Sequence, residues 1–320
     1  MKILAIESSC DELSLAILDD GKVLTNIISS QIKDHQKFGG VVPELAARLH
    51  LENIEWVIKS ALKEADLSIN EIELVAYTKN PGLIGSLIVG KIIAETIGAY
   101  LEVPIMGCHH ILGHIYGASI EEDFVYPVLA MVVSGGHTQI QLLRSVDDYE
   151  IIGQTQDDAI GECYDKVARY LKLEYPGGPI IDKLAQTGNP DEFKLPIPKT
   201  ENEFDFSYSG LKTACTNLIN KYNQNNEEIN KADFAASFQK TAVQTICEKF
   251  EKAVIKYQPK TITVAGGVSA NSLIRQKVVE IGKNNKIEHI IIPKLEYCTD
   301  NGAMIGKFAQ EKINISKKLI

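Results

Sequence analysis

One pattern of strands and turns occurs twice in this chain of 320 residues. Residues 2–27 alternate short apolar runs with turn residues, which predicts three strands with a polar loop at 7–12 and a hairpin turn at 19–21. Residues 126–152 repeat this plan, with a polar loop at 134–138. The duplication predicts an α/β fold of two lobes, each of which presents a polar loop to a shared cleft.

The two copies set the expected domain limits. The first lobe is expected over residues 1–125, and the second over 126–300 with a helical insertion. A final helix over residues 301–320 is expected to complete the first lobe. This plan is similar to the two-lobed actin-like fold of sugar kinases and chaperone ATPases, with duplicated βββαβα cores and an inter-lobe cleft. That similarity concerns the fold and not the function.

The composition narrows the possible classes of protein. An apolar share of 45% with 23% charged residues is typical of a globular chain. Six scattered cysteines without a C-x-x-C pair indicate reduced thiols in the cytoplasm, and the first residues do not form a signal peptide. Residues 83–101 are strongly apolar but contain Lys91 and Glu95, which favours a buried helix over a membrane span. A net charge of −9 implies that binding RNA would need a local basic patch or a helper subunit.

Helices are predicted between the strands. A long amphipathic helix is predicted from residue 42 to about residue 64, and we assign Glu44, Arg48 and His50 to a solvated face and to pairs between elements. Two glycine corners precede other helices. The corner at 80–86 either meets an anion or needs small residues for packing, and the corner at 265–271 lets a ribose or phosphate lie against the backbone.

Three histidines, His109, His110 and His114, lie within six positions. In a helix His110 and His114 project from one face, which is the geometry that two nitrogen ligands of one metal ion need. This spacing also occurs at packed or exposed positions without a metal. Asp300, before the last predicted helix, is either an ordinary N-cap or a carboxylate aimed into the cleft.

A set of motifs resembles the TsaD family of tRNA N6-adenosine threonylcarbamoyltransferases, formerly described as O-sialoglycoprotein endopeptidases. The motifs follow the family's order along essentially the whole chain, and they are specific as a set although each is weak alone. Leu13 and Leu112 stand where the family usually has Thr and Glu. The matching segments are 6–12, 81–87, 110–114, 133–138, 164–166, 175–179, 206–213, 266–271 and 298–302.

The resemblance implies one divalent metal ion, Fe²⁺ or alternatively Zn²⁺, held by His110, His114 and Asp300. Two imidazoles and one carboxylate leave coordination positions open, as a catalytic metal requires. It also implies binding of the adenylate end of threonylcarbamoyl-AMP, and we take Asp11 and His137 as candidate catalytic residues. The candidate substrate-binding residues are Val133, Ser134, Gly135, Gly136, His137, Asp165, Gly178, Asp182, Gly266, Gly267 and Asn271.

The implied activity is transfer of a threonylcarbamoyl group from threonylcarbamoyl-AMP to an adenosine N6 amine in tRNA. The target adenosine would lie next to the anticodon in tRNAs that read codons beginning with A. Because this amine is a poor nucleophile, we expect the metal to act as a Lewis acid while backbone amides stabilise the developing charge. The implied partners are tRNA, a separate synthase, a pseudo-enzyme paralogue and a small ATPase, with no membrane.

Three other functions were weighed against this one. A zinc peptidase helix needs Glu directly after its first His, and here that residue is Ile111. An actin-like ATPase would use Mg²⁺, which prefers oxygen ligands to imidazole. A non-catalytic scaffold would have no reason to keep both histidines and Asp300.

Overall fold

The computed structural model describes the backbone of residues 1–318 and the side chains of residues 1–315. The chain forms two compact units. Unit 1 consists of Met1–Asp123 and the chain from Pro293 onward, and unit 2 consists of Phe124–Ile292. Each unit is built around its own five-stranded mixed sheet.

The polypeptide returns from unit 2 to unit 1 between residues 292 and 293. The limits expected from the sequence put residues 293–300 in the second lobe, whereas the structure places them in unit 1. An ion pair between Lys294 and Glu121 (2.8 Å) is one of the contacts that hold them there. This assignment matters because it places Asp300 in the same unit as His110 and His114.

Unit 1 opens with the predicted three-stranded meander. The two-residue turn Asp20–Gly21 has positive φ at both positions (46° and 83°), which matches the twist of the strands that it joins. The sheet order is β3-β2-β1-β4-β5, with β4 and β5 parallel to β1. The strands are β1 (Lys2–Glu7), β2 (Glu12–Asp19), β3 (Lys22–Ser30), β4 (Leu74–Asn80) and β5 (Ile105–His109), and the helices among them are α1 (Ile32–Gln36), α2 (Pro43–Glu64), α3 (Ile84–Leu101) and α4 (His110–Gly117).

Unit 2 repeats this topology. Its sheet order, read from the equivalent edge, is β8-β7-β6-β9-β10, with the first three strands antiparallel and the last two parallel to β6 and β9 respectively. The predicted duplication is therefore confirmed, and a fifth strand extends each βββαβα core. The strands are β6 (Val128–Val133), β7 (Thr138–Leu143), β8 (Tyr149–Gln154), β9 (Thr261–Ala265) and β10 (His289–Ile291), and the helices are α5 (Ile160–Tyr170), α6 (Gly177–Ala185), α7 (Ser209–Gln224), α8 (Lys231–Tyr257) and α9 (Ser272–Asn284).

The last helix, α10 (Gly302–Lys318), packs against β1, β2 and α4 of unit 1. The expected helix over 301–320 is thus observed to Lys318, and residues 319–320 lie outside the described part of the chain. A Cβ at Gly302 would stand 2.5 Å from the backbone nitrogen of Ala16, so only glycine allows the helix to start directly on the sheet. This close approach fixes the position of the residues just before α10.

Helix α3 has one buried and one exposed face. Val89, Ala94 and Ile97 are buried on the side that faces β4 and β1. The opposite side exposes Ile84, Ile88, Ile92 and Tyr100, so the prediction of a buried helix is wrong for that face. By length and apolar composition α3 could cross a membrane, but a single helix of this kind is weak evidence.

Candidate metal centre and substrate-binding residues

Helix α4 brings His110 and His114 to one face, as their spacing predicts. The helix begins directly after β5, and the Nδ1 atom of His109 accepts a hydrogen bond from the Leu112 N–H at its N-terminus (3.4 Å). His109 is therefore a capping residue. The rings of His110 and His114 lie 4.6 Å apart, and both are buried.

Asp300 is the third member of this cluster. Its Oδ1 atom lies 3.0 Å from Nε2 of His114 and 3.8 Å from Nε2 of His110. The potential ligand atoms of the three residues all lie within 4.8 Å of one another. Asn301, and not Asp300, caps α10, because its Oδ1 accepts the Met304 N–H (3.0 Å). The alternative that Asp300 is an ordinary N-cap is therefore wrong, and its carboxylate is free to face the two imidazoles.

Glu7 contacts His110 at Nδ1, the ring nitrogen that does not face Asp300. It was not among the predicted site residues. It is fully buried, and its Oε2 atom lies 3.2 Å from Nδ1 of His110. The Ser9 N–H (2.6 Å) and the Thr78 hydroxyl also donate to this carboxylate. A carboxylate at Nδ1 keeps a proton on that nitrogen, so Nε2, on the Asp300 side of the ring, is the nitrogen available to a metal ion. The available sequence signal was an acidic residue at the end of a buried apolar strand.

The donor set fits a catalytic metal. Two imidazole nitrogens and one carboxylate oxygen suit Zn²⁺ or Fe²⁺ and leave positions open for substrate or water. Among residues 1–315, Nδ1 of His114 has no hydrogen-bond partner, so Glu7 orients only one of the two imidazoles. On the other side of the cluster, the Ser9 hydroxyl donates to Oδ2 of Asp300 (3.4 Å).

The charges in this cluster shift two pKa values in opposite directions. Burial alone lowers the pKa of His110, but Glu7 and Asp300 outweigh it and raise the pKa to about 9. Burial raises the pKa of Asp300, but His110 and His114 bring it well below its usual range. Without a metal ion, the cluster is therefore an imidazolium beside a carboxylate at neutral pH. A bound cation would replace the proton of His110.

Metal affinity is expected to rise with pH between pH 7 and 9. Because His110 is protonated below its pKa of about 9, binding releases one proton, and the association constant should increase about tenfold per pH unit. It should level off above pH 9. Titration of metal-free protein with Zn²⁺ against a competing chelator measures this slope. An affinity independent of pH across this window would contradict ligation by His110.

The loop between β1 and β2, which carries Asp11, contacts this cluster. Ser9, two residues earlier, donates to Asp300. The Leu83 N–H donates to the Ser9 carbonyl (2.8 Å), and a Cβ at Gly82 would lie 2.6 Å from that same oxygen. Gly82 thus permits close packing of the 80–86 corner against the loop backbone, which supports the packing alternative. Burial, followed by Asp300 and Asp11, raises the pKa of the next residue, Glu12, to about 8.

In unit 2 the predicted residues at 133–137 and 266 lie together. The Ser134 N–H donates to the His137 carbonyl (2.8 Å) and the His137 N–H to the Ser134 hydroxyl (3.0 Å), which closes a tight turn containing Gly135 and Gly136. Gly266 has φ of +90°, and a Cβ there would lie 2.5 Å from the Val133 carbonyl. Gly267 follows in a short 3₁₀ helix. Strands β6 and β9 are parallel neighbours, so these two corners meet at one sheet edge.

The remaining predicted residues form two hydrogen-bonded groups. Asp165 accepts the Gly177 N–H (2.8 Å) next to Gly178, and burial raises its pKa while these two glycine amides oppose the shift. Asp182 and Asn271 are joined by Gln239, whose Nε2 donates to Asp182 (3.0 Å) and whose Oε1 accepts from Asn271 (2.8 Å). Gln239 was not predicted, because one polar residue in the long helix α8 gives no signal.

Comparison with known sequences gives matches along the whole chain. The model of the family described as "TsaD: tRNA N6-adenosine threonylcarbamoyltransferase" matches residues 22–307. A Mycoplasma capricolum protein named "tRNA N6-adenosine threonylcarbamoyltransferase" is 64% identical over 319 residues, which cover 100% of both chains. A Mesoplasma florum protein of the same name is 65% identical over 316 residues, covering 99% of this chain and 100% of that one.

Comparison with solved structures concerns the fold alone. T. kodakarensis HypF superimposes with a TM-score of 0.62 at 13% identity, covering 98% of this chain and 48% of that one. Component A of (R)-2-hydroxyglutaryl-CoA dehydratase from Acidaminococcus fermentans gives 0.55 at 14% identity, covering 98% and 99%. Both neighbours have the actin-like ATPase fold, which confirms the predicted fold class.

Proposed function

Because the chain belongs to the TsaD family of tRNA N6-adenosine threonylcarbamoyltransferases, we propose that it carries out the family's reaction at a metal centre formed by His110, His114 and Asp300. The protein is a transferase that places a threonylcarbamoyl group on adenosine N6 in tRNA. The observation that supports the metal centre is the convergence of two imidazole nitrogens and one carboxylate oxygen within 4.8 Å. The ion is Fe²⁺, or alternatively Zn²⁺.

The roles of the protein residues at this centre follow from their contacts. His110, His114 and Asp300 would hold a divalent ion, which would supply Lewis acidity to the reaction. Glu7 holds the proton of His110 on Nδ1, and Ser9 holds Asp300 through its second oxygen. Asp11, in the same loop as Ser9, orients the substrate or accepts the proton released by the adenosine amine. These roles leave the open face of the cluster to the reacting groups.

Unit 2 supplies the candidate binding residues for the adenylate part of threonylcarbamoyl-AMP. The exposed glycines of the 134–137 turn present backbone amides to phosphate oxygens, and His137 lies at the end of that turn. Asp165, Asp182 and the Gly266–Gly267 corner would hold the ribose and base, together with Asn271 and Gly178. Hydrogen bonds to Gln239 support Asp182 and Asn271 in fixed positions.

Mass spectrometry of tRNA nucleosides tests this function. The protein is incubated with its helper subunits, preformed threonylcarbamoyl-AMP and an unmodified tRNA that reads codons beginning with A. Threonylcarbamoyladenosine should appear at the adenosine next to the anticodon, and a tRNA that reads other codons is the control. No product from a folded complex would refute the transfer, whereas full activity of metal-free protein would refute only the metal centre.

Peptide hydrolysis is the activity that the family's older description suggests. A zincin base would be a Glu directly after His110, and Ile111 occupies that place and is buried. Glu7 contacts Nδ1 of His110 from the far side of the ring rather than from the open side of the cluster, so it does not take the place of that base. The cluster therefore does not have the zincin arrangement of two histidines with a base directly after the first.

We further propose that the exposed face of α3 binds the expected pseudo-enzyme paralogue. Ile84, Ile88 and Ile92 follow one another at four-residue spacing, so they form a single apolar stripe. An exposed stripe of this kind is typical of a protein-binding surface. With a net charge of −9, the chain also needs a helper to attract tRNA. We include the expected small ATPase in this complex, which we place in the cytoplasm.

The substitution Ile88→Glu is expected to weaken that complex at least about tenfold, because a buried apolar contact is lost and a charge is desolvated. The matched control is Ile255→Glu in α8 of unit 2, which replaces an isoleucine of similar exposure (55% against 50%). Analytical ultracentrifugation with the purified paralogue measures both dissociation constants. Equal affinities for the two variants would contradict docking on α3.

A further inference from the structure

A chain of buried hydrogen bonds runs from α1 to the loop that carries Asp11. The sequence placed His50 on a solvated face or in pairs between elements. It is fully buried, as is His35, so the solvated face is wrong for His50, whereas it does pair with another element. Nε2 of His50 lies 3.0 Å from the Cys10 carbonyl, and its Nδ1 lies 2.8 Å from Nε2 of Gln31. Oε1 of Gln31 lies 3.1 Å from Nε2 of His35, whose Nδ1 accepts the Val42 N–H (3.2 Å).

The hydrogen-bond partners determine which nitrogen of each imidazole carries a proton. The Cys10 carbonyl can only accept, so Nε2 of His50 carries the proton and its Nδ1 accepts from the Gln31 amide. The same amide nitrogen donates to the Ala46 carbonyl (3.3 Å), which sets its orientation independently. The Val42 N–H can only donate, so His35 donates through Nε2 to Gln31. These constraints from three separate backbone groups agree on two neutral imidazoles protonated at Nε2.

This series of hydrogen bonds ends at the backbone next to Asp11. The Cys10 carbonyl also accepts from the Ser86 hydroxyl (3.1 Å), so two side chains hold it from α2 and α3. The Gln31 N–H donates to the Asp11 carbonyl (3.2 Å). Ser9, directly before Cys10, donates to Asp300. The backbone at residues 9–11 is therefore fixed between the buried chain and the metal-ligand cluster.

We propose that His50, Gln31 and His35 form a positioning relay that holds the Asp11 loop in its working conformation through the Cys10 and Asp11 carbonyls. His50 is the central positioning residue, since it joins the Gln31 amide to the Cys10 carbonyl. The effect on transfer rests on the proposed function, whereas the effect on the loop does not. Burial lowers the pKa of His50, in agreement with the neutral form that the hydrogen bonds require.

Removal of His50 would leave buried polar groups without partners. In His50→Leu, the Gln31 amide loses an acceptor and the Cys10 carbonyl loses one of its two donors. His50→Gln retains a side-chain N–H able to reach the carbonyl, so it is the conservative variant. Val57→Ala, at a fully buried apolar site of the core on the same helix, is the control for general loss of packing.

Hydrogen exchange tests the relay without reference to catalysis. Amides of residues 8–12 should exchange faster in His50→Leu than in the wild type or in Val57→Ala, and His50→Gln should restore much of the protection. Nitrogen-15 NMR of labelled histidines should find His35 and His50 both protonated at Nε2. Unchanged exchange in His50→Leu, or a proton on Nδ1 of His50, would overturn the relay.

Steady-state transfer assays test the effect of the relay on catalysis. In His50→Leu, kcat should fall about tenfold with little change in the KM for tRNA or in metal content, and His50→Gln should recover most of the loss. A kcat equal to that of Val57→Ala would overturn the positioning role. If the wild type transfers nothing, the proposed function fails, and the exchange and NMR results still decide whether the relay exists.

Discussion

Replacement of His110 by alanine is expected to lower threonylcarbamoyl transfer by at least about 10³-fold, because a centre with three protein ligands loses one of them. The amount of bound metal, measured by inductively coupled plasma mass spectrometry, should fall in parallel. The fold should survive, since Glu7 keeps its hydrogen bonds from Ser9 and Thr78. Thermal unfolding, followed by circular dichroism, gives the folded fraction used to correct the activity.

The matched control is His109→Ala, which removes the neighbouring imidazole. It leaves all three proposed ligands in place and loses only the helix cap to Leu112, at a cost of about 1 kcal/mol. Its metal content and transfer rate should stay near those of the wild type. If His109→Ala and His110→Ala lost activity equally, or if His110→Ala stayed fully active, the assignment of the ligands would be wrong.

Replacement of Glu7 by glutamine is expected to weaken metal binding about 10- to 100-fold, the usual effect of losing the partner that orients a ligand. If the NH₂ group of the new side chain faces Nδ1 of His110, that ring must carry its proton on Nε2, which then cannot bind the metal. If it faces the other way, it meets the Ser9 N–H donor instead. Calorimetric titration of metal-free protein with Zn²⁺ measures the change.

The control for this prediction is Thr78→Val, which has nearly the same shape. It removes one hydrogen bond to Glu7 but keeps the carboxylate beside His110. Its metal affinity should change by less than about tenfold. Equal losses in Thr78→Val and Glu7→Gln would mean that general disruption of the buried cluster, and not the proton position on His110, controls affinity.

The sequence predicted the fold because its signals were local and repeated. Apolar runs and turn residues defined both three-stranded meanders, and the i, i+4 spacing placed the imidazoles of His110 and His114 on one helix face. The boundary near residue 293 was missed, since it depends on packing of 293–300 against unit 1 rather than on any break in composition.

The supporting residues of the site were harder to predict than its ligands. Glu7 and Gln239 act through partners that are distant in sequence, and neither belongs to a spacing pattern. His50 was grouped with Glu44 and Arg48, which are exposed, and helical periodicity alone does not place it against Cys10. Such residues become visible only when the tertiary fold brings the elements together.

The return of the chain to unit 1 has a consequence for how the protein is made. During translation, His110 and His114 leave the ribosome long before Asp300, because residues 124–292 are synthesised in between. At about 5–20 residues per second this interval lasts roughly ten seconds or more. Throughout it, the surface of β1 and β2 that later receives α10 is uncovered. The proposed metal centre is thus among the last parts of the protein that can assemble on the nascent chain.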